Sequence, residues 1–229
     1  MFKNKKVISI IPARKNSKSL KNKNILKINK HSLLEIAILS SKNSSVIDET
    51  IVTSDSDKIL KIAKKFKCKI IKRPNLLSQD TTTANQVINH VLKKINESGD
   101  FIIIYLQPTS PFRNHKHVNR AFNILKKYKT TNLVSVKLVS EIFYKSYNFN
   151  KYLKPNFKKF VNANRQKLKK IYCANGAIYI FSFYNFLKKK KIPNHDLVPY
   201  LMNDLDSIDI NNDYDLELSR CLKKKIYYK

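Results

Sequence analysis

The sequence predicts an α/β protein with a mainly parallel sheet and helices on both faces, in one domain over residues 1–229. Three observations carry that expectation. Short apolar segments alternate with amphipathic ones along most of the chain, which is the order of repeated βαβ units. Two of the apolar segments, residues 7–11 and 101–106, are almost continuously hydrophobic, the pattern of strands buried on both sides. Helix-start signals also fall between such segments: Ser32 precedes an apolar helical face, and Glu35 three positions on completes a capping-box pattern.

In chain order, residues 7–11 are the first strand and a helix starts near Ser32. Residues 50–53 form a second buried strand, closed by Ser54-Asp55-Ser56-Asp57, and residues 58–67 a helix with Ile59, Leu60, Ile62, Ala63 and Phe66 at helical spacing. A short strand at 69–71 leads into Arg73-Pro74, a helix runs from about 83 to 96, and the most apolar strand covers 101–106. A helix at 117–128 and a strand at 133–137 follow. Between 140 and 170 the periodicity weakens and aromatic residues scatter among Lys and Asn, which reads as an excursion from the sheet, a hairpin arm packing on a partner subunit. The sheet resumes at 177–182, a short strand lies within 204–211, and residues 213–224 form the last helix, with Asp213 as its cap.

Lys and Arg number 46 against 16 Asp and Glu, for a formal charge of +30. Such a balance raises nucleic-acid binding first. Only six of the 46 are Arg, however, and the surplus of Lys, Asn and Ile is what AT-rich codons produce. The charges also run along the whole length, as at 188–191 and 223–225, instead of gathering in one arm. Nucleic acid is therefore discounted as a partner. Cys68, Cys173 and Cys221 have no metal-ligand spacing and read as free thiols of a reduced, cytoplasmic compartment. The amino terminus lacks a signal-type apolar region, and no apolar run approaches the roughly 20 residues of a membrane span.

The chemistry concentrates after strands. Residues 10–25 leave the carboxyl end of the first strand, where open α/β sheets bind ligands. They carry Arg14, Lys15, Lys18, Lys21 and Lys23 interleaved with Asn16, Ser17, Asn22 and Asn24, a composition suited to a triphosphate. The central strand empties into Gln107-Pro108-Thr109-Ser110-Pro111-Phe112-Arg113, where two prolines hold the polar side chains in one geometry. With only two glycines in the chain, neither G-x-x-x-x-G-K-[ST] nor G-x-G-x-x-G can exist. The retained Gly176 marks a special backbone conformation or a close approach. On a regular strand, Asp209 and Asn211 share a face and form an oxygen-ligand pair for Mg²⁺.

Taken together, these segments resemble the acylneuraminate cytidylyltransferases, or CMP-sialic acid synthetases, of the Rossmann-like nucleotidyltransferase fold. Residues 10–25 resemble the opening motif I-P-A-R-x-x-S-K-x-[IL]-x-x-K-N; residues 106–113 match L-Q-P-T-S-P-[LF]-R; residues 175–180 match N-G-A-I-Y-I; residues 207–210 match S-[IL]-D-I. The resemblance implies that Arg14, Ser17, Lys18, Lys23 and Asn24 hold the triphosphate of CTP and that Arg73 lies beside the cytosine. It further implies that Gln107, Thr109, Ser110, Asn175 and Tyr179 form the pocket for an acidic sugar, that Arg165 is offered by the neighbouring subunit of a homodimer, and that Asp209 is the principal ligand of Mg²⁺. Arg14, Lys23 and Asp209 then carry catalysis, on a sugar of the sialic, legionaminic, pseudaminic or 3-deoxy-octulosonic type. Three positions depart from the pattern: Ser19 stands for a usual Gly, Lys21-Asn22 for a Pro-containing pair, and Asn211 for a second metal-binding Asp. A non-catalytic nucleic-acid binder is the rival from another class. Phosphate-backbone binding has no use for neutral motifs such as Gln-Pro-Thr-Ser-Pro, which argues against it.

Overall fold

The computed structural model of the protein describes residues 5–95, 97–139 and 141–227. Asn96, Ser140 and the first four residues, each part of a segment read above, lie outside them. The elements are β1 (Val7–Pro12), β2 (Lys27–Ile28), β3 (His31–Ser32), α1 (Leu33–Lys42), β4 (Glu49–Ser54), α2 (Asp57–Lys65), β5 (Lys69–Lys72), α3 (Ala84–Lys94), β6 (Ile102–Tyr105), α4 (His115–Leu125), β7 (Leu133–Val139), β8 (Tyr147–Phe149), β9 (Leu153–Pro155), β10 (Ile171–Ser182), α5 (Phe183–Lys189), β11 (Val198–Leu201) and α6 (Asp213–Tyr227). Seven strands form one sheet in the order β11-β7-β10-β6-β1-β4-β5. All neighbours are parallel except β10, which runs antiparallel to both β6 and β7. Chain direction explains the exception: β7 leaves the sheet into the 140–170 excursion and returns beside itself without a crossover helix, so its neighbour must run the other way.

The pleat assigns successive residues to opposite faces. Val7 and Ile11 of β1, with Ile102 and Ile104 of β6, pack with Leu34 and Ile38 of α1, Ile59 and Ala63 of α2, and Val118 and Phe122 of α4. Ile8 and Ile10, with Ile103 and Tyr105, pack on the other side with Ile88 and Val91 of α3 and Phe186 of α5. Helices thus cover both faces, which is why the strands carry no polar alternation. Each buried Ile or Leu contributes about 1.5–3 kcal/mol. One polar element crosses the first layer: the hydroxyls of Ser9, Ser41 and Thr50 form a relay at 2.5 and 2.7 Å, satisfying each other inside an apolar packing.

Helix starts follow the sequence signals. Ser32 and Glu35 close the capping box on α1, and Thr83 with Gln86 does the same on α3. Three readings need correction. Residues 204–207 are turned and no strand forms over 204–211, because the Asn203 side chain accepts from the Asp206 amide at 2.8 Å and its carbonyl accepts from the Ser207 amide at 3.0 Å. The start of α6 is held by Asn212 and Asp215, whose side chains accept from each other's amides at 2.9 and 3.1 Å, so the cap is not Asp213. The strand expected over 177–182 begins at Ile171 and carries a register shift between Ala174 and Tyr179; β11 was absent from the sequence reading altogether. Within 140–170, β8 and β9 form an antiparallel hairpin. A small aromatic cluster, Phe143, Tyr144, Phe157 and Phe160, holds its base, while Phe149, Tyr152 and Leu153 are exposed.

Candidate active site

From β1 the chain proceeds outward through β4 and β5, then returns to place β6 on the other side of β1. The crevice at the carboxyl ends of β1 and β6 is therefore the switch point at which open α/β sheets bind ligands. A cavity of about 370 Å³ lies there, lined by the loop after β1, the segment 73–84, the turn after β6, and Asp209 and Asn211.

The basic loop is pinned at several points. The Ala13 amide donates to the Thr53 carbonyl at 3.0 Å and the Lys15 amide to Asp55 at 2.8 Å. Asn24 is buried and donates its side-chain amide to the Arg14 carbonyl at 2.9 Å. Asn22 takes the left-handed conformation, φ 58°, which Asn tolerates better than most residues. Against this frame Arg14 presents its guanidinium to Asp80, Nη1 to Oδ1 2.7 Å, with Lys18 at 3.4 Å from the second Asp80 oxygen. Lys23 reaches across to donate to the Ile210 carbonyl at 2.9 Å. Burial pushes the Lys23 pKa down, Asp209 pulls it up, and Arg14 lowers it further. Arg73 is almost wholly buried; Nε and Nη2 find no partner among the described residues, and desolvation depresses its pKa despite the nearby Asp55. These are unspent donors and cations facing a polar cavity, the complement of a polyanion.

Opposite them stands the turn after β6. Arg113 donates from Nη2 to the Gln107 carbonyl at 3.2 Å, and the Thr109 carbonyl accepts from the Ile210 amide at 2.9 Å, which brings Asp209 against the turn. Gly176 has φ +77°, and a Cβ there would sit 2.6 Å from Gln107 Oε1. Both reasons for a glycine hold at once: the backbone angle disfavours other residues and Gln107 needs the space.

Asp209 and Asn211 meet, though not through a strand pleat: Asn211 Nδ2 donates to Asp209 Oδ2 at 3.1 Å, while Asp209 Oδ1 is buried without a partner among the described residues. An orphaned carboxylate oxygen beside an amide is an oxygen-donor set that suits Mg²⁺, which takes one or two protein oxygens and fills the rest with water and phosphate. Asn211 offers its nitrogen to Asp209; turning the amide presents its oxygen instead. Among the described residues no group of three His, Cys, Asp or Glu is placed to hold a metal by itself.

A second cleft of about 590 Å³ shares Ala84, Tyr105 and Gln107 with the first. Its walls are Val134 and Val136 of β7, Tyr172, Ala174 and Tyr179 of β10, and Pro193 and Pro199. Tyr105 and Tyr179 meet edge to face, with centroids 6.3 Å apart, and burial raises both phenol pKa values.

Of the predicted site residues, Arg14, Ser17, Lys23, Asn24, Arg73, Gln107, Thr109, Asp209 and Asn211 line the first cavity and Tyr179 the second. Lys18 stands at the rim, largely exposed. Ser110 lines neither cavity; it is buried, its hydroxyl without a partner. Asn175 also lies outside them, because its amide is consumed by the fold: Oδ1 accepts from Ser135 at 2.6 Å and from the Ala177 amide at 3.2 Å, and Nδ2 donates to Ser207 at 2.9 Å. Arg165 sits exposed on a single 3₁₀ turn and lines neither cavity. Sequence reasoning missed Asp80, Tyr105 and the apolar wall. Asp80 had a signal, a lone acid in a polar loop just before the Thr83 cap; the wall had none, since valines on a strand look alike wherever they face.

The fold and the crevice define an α/β protein with a cationic cavity at its switch point. A family model described as cytidylyltransferase matches residues 8–198, and the chain belongs to that family. It is 30% identical to the N-acylneuraminate cytidylyltransferase of Escherichia coli O18:K1:H7 over 96% of its length, but spans only about half of that relative. It is 28% identical to the CMP-N,N'-diacetyllegionaminic acid synthase of Legionella pneumophila, covering 95% of this chain and 96% of the relative. A bifunctional pseudaminic acid cytidylyltransferase of Helicobacter pylori is 26% identical over 90% of the chain, which spans 40% of that protein. Among solved structures, a CMP-2-keto-3-deoxy-manno-octonic acid synthetase complexed with CTP superposes with a TM-score of 0.74 at 16% identity, covering 96% of this chain and 99% of that one. At that identity the likeness establishes the fold alone.

Proposed function

We propose that the chain transfers the cytidylyl group of CTP to an acidic nine-carbon sugar of the sialic type. The anomeric hydroxyl attacks the α-phosphorus, the bond to the β-phosphate breaks, pyrophosphate leaves, and the hydroxyl proton passes to solvent. The observation that carries this reading is a pair of adjoining cavities: a cationic one with unspent donors and an apolar-walled cleft share Ala84, Tyr105 and Gln107, which supports a triphosphate and a bulky second substrate meeting at those residues. The relatives supply the chemistry of the two substrates, since each is named for a CMP-sugar or for a sugar cytidylyltransferase.

Phosphoryl transfer asks the protein mainly for positioning and charge. Arg14 and Lys23 take the triphosphate, with Ser17, Asn24 and the rim cation Lys18; Arg73, which lines the same cavity, takes the base. Gln107 and Tyr179 face the sugar, and Thr109 of the same turn lines the first cavity beside them. Mg²⁺, when bound, neutralises the phosphates and the departing pyrophosphate. Asp209 would hold it through its orphaned oxygen, with Asn211 beside it.

The exposed apolar tip of the 140–170 hairpin supports a homodimer, with Arg165 carried toward the partner's site. Three free cysteines fit a cytoplasmic setting. Sedimentation at micromolar concentration should give a dimer, and a fully active monomer would remove Arg165 from the site.

Pyrophosphate release with CTP, Mg²⁺ and a panel of sialic, legionaminic, pseudaminic and 3-deoxy-octulosonic acids tests the whole reading. Turnover with one of these sugars is expected, and its absence with all of them refutes the proposal. In the same assay Asn211→Asp should lower the Mg²⁺ concentration for half-maximal rate, because a carboxylate binds a hard cation better than an amide. An unchanged midpoint takes residue 211 away from the metal.

A further inference from the structure

The turn after β6 serves two cavities. Gln107, Pro108 and Thr109 line the candidate nucleotide site; Pro111, Phe112 and Arg113 line a separate cavity of about 350 Å³ that shares no residue with it. That second cavity lies between α1, the start of α4, and α6, with His31, Asn43, His115 and Lys223 also in its lining.

Two cations there have no counter-ion among the described residues. Arg113 is 1% exposed, and its Nε and Nη1 have no hydrogen-bond partner among the described residues; only Nη2 is used, on the Gln107 carbonyl. A buried guanidinium with unmade bonds is costly, because the donors lose water and gain nothing in exchange. Lys223 is half-buried, with its ammonium 5.7 Å from the Phe112 ring centroid. Its pKa is lowered by burial alone, consistent with the absence of a carboxylate opposite it. The single acid in the lining, Asp206, is already engaged by His117 Nε2 at 3.3 Å and by Asn203 Nδ2 at 2.8 Å. Nothing in the proposed reaction uses these groups.

We infer that this cavity is a second anion site, taking a small oxyanion of the phosphate class between Arg113 and Lys223. Such an ion supplies acceptor oxygens for the orphaned guanidinium donors and charge for the ammonium. Phe112 and Asn43 complete the lining, and its one acid, Asp206, is held by His117 and Asn203. The site is distinct from the triphosphate cradle, so it does not depend on the reading of that cradle.

Inorganic phosphate titrated into the Arg14→Ala protein by calorimetry, at constant ionic strength held with chloride, tests it. Arg14→Ala weakens anion binding in the first cavity and leaves the second intact. One saturable site is expected to remain, weakened at least tenfold by adding Lys223→Gln and unaffected by adding Lys188→Gln, an exposed lysine of α5 that controls for the general positive charge. As a second readout, phosphate should raise the melting temperature of the Arg14→Ala protein but not of Arg14→Ala with Arg113→Met. Absence of saturable binding in Arg14→Ala, or binding that Lys188→Gln reduces as much as Lys223→Gln, overturns the proposal.

Discussion

The two halves of the joined cleft are built on opposite principles. The half after β1 holds cations whose partners are either backbone carbonyls or a single displaceable acid: Lys23 on Ile210, Arg14 on Asp80. The half against β7 and β10 is walled by Val134, Val136, Pro193 and Tyr179, and its polar groups are neutral amides and hydroxyls such as Asn85, Asn194 and Tyr172. In the proposed reaction the first half would recognise charge and the second shape. A charged ligand is gripped through a few strong, charge-assisted bonds, whereas a sugar is sorted by many weak contacts, each worth far less. Tyr105 and Gln107 belong to both halves, and Gln107 keeps its place because Gly176 leaves room for its amide.

That contrast breaks first at Arg14. Arg14→Ala should lower kcat/KM for CTP by about 100-fold or more, the loss that accompanies removal of a charge-assisted contact to a developing phosphate charge, while the thermal midpoint stays within a few degrees because the side chain is a loop cation outside the core. Near-normal turnover would mean that the loop after β1 does not hold the triphosphate.

On the apolar side the effect should be smaller and confined to the second substrate. Tyr179→Phe keeps the ring against Tyr105 and removes only the hydroxyl. Its KM for the sugar should rise about threefold to tenfold, the size of one neutral hydrogen bond, with KM for CTP unchanged. An equal change in both constants would show that the two halves are not separable in this way.

Asp80 sharpens the comparison with the smallest shift. Its carboxylate pairs with Arg14, so a triphosphate bound as proposed would displace it. Asp80→Asn should tighten CTP about threefold, a modest figure because the pair is part-exposed and screened. Calorimetry without sugar measures it. Weaker binding by Asp80→Asn would instead make the acid a positioning group for Arg14.

Much of this was legible before any coordinates. Charge, proline turns and apolar runs are local properties, so the basic loop, the turn after β6, the capping boxes of α1 and α3 and the strand faces could all be read residue by residue. Where local signals pointed to function without knowing the neighbours, the structure redistributed the roles. Asn175 and Ser110 are polar residues within site motifs, yet one has its amide bonded to Ser135 and Ser207 and the other is shut inside the turn, outside both cavities. The reverse holds for the valines of β7, ordinary in sequence and placed in the cleft only because the sheet brings them there, and for Asp80, whose place beside Arg14 its loop position alone did not reveal.

The sequence by itself determined the alternation of elements, the carboxyl-end placement of the polar loops and the chemistry of a polyanion site, because each rests on hydrophobic period, backbone restriction and charge within a few residues. Only the tertiary structure decided that β10 runs antiparallel, that Asp209 meets Asn211 through a turn braced on Thr109, and that Arg113 and Lys223 share a cavity. Those outcomes depend on which distant segments become neighbours, from residue 31 to residue 223 in the last case. Such contacts are selected by packing of the whole core, and no window of sequence contains it.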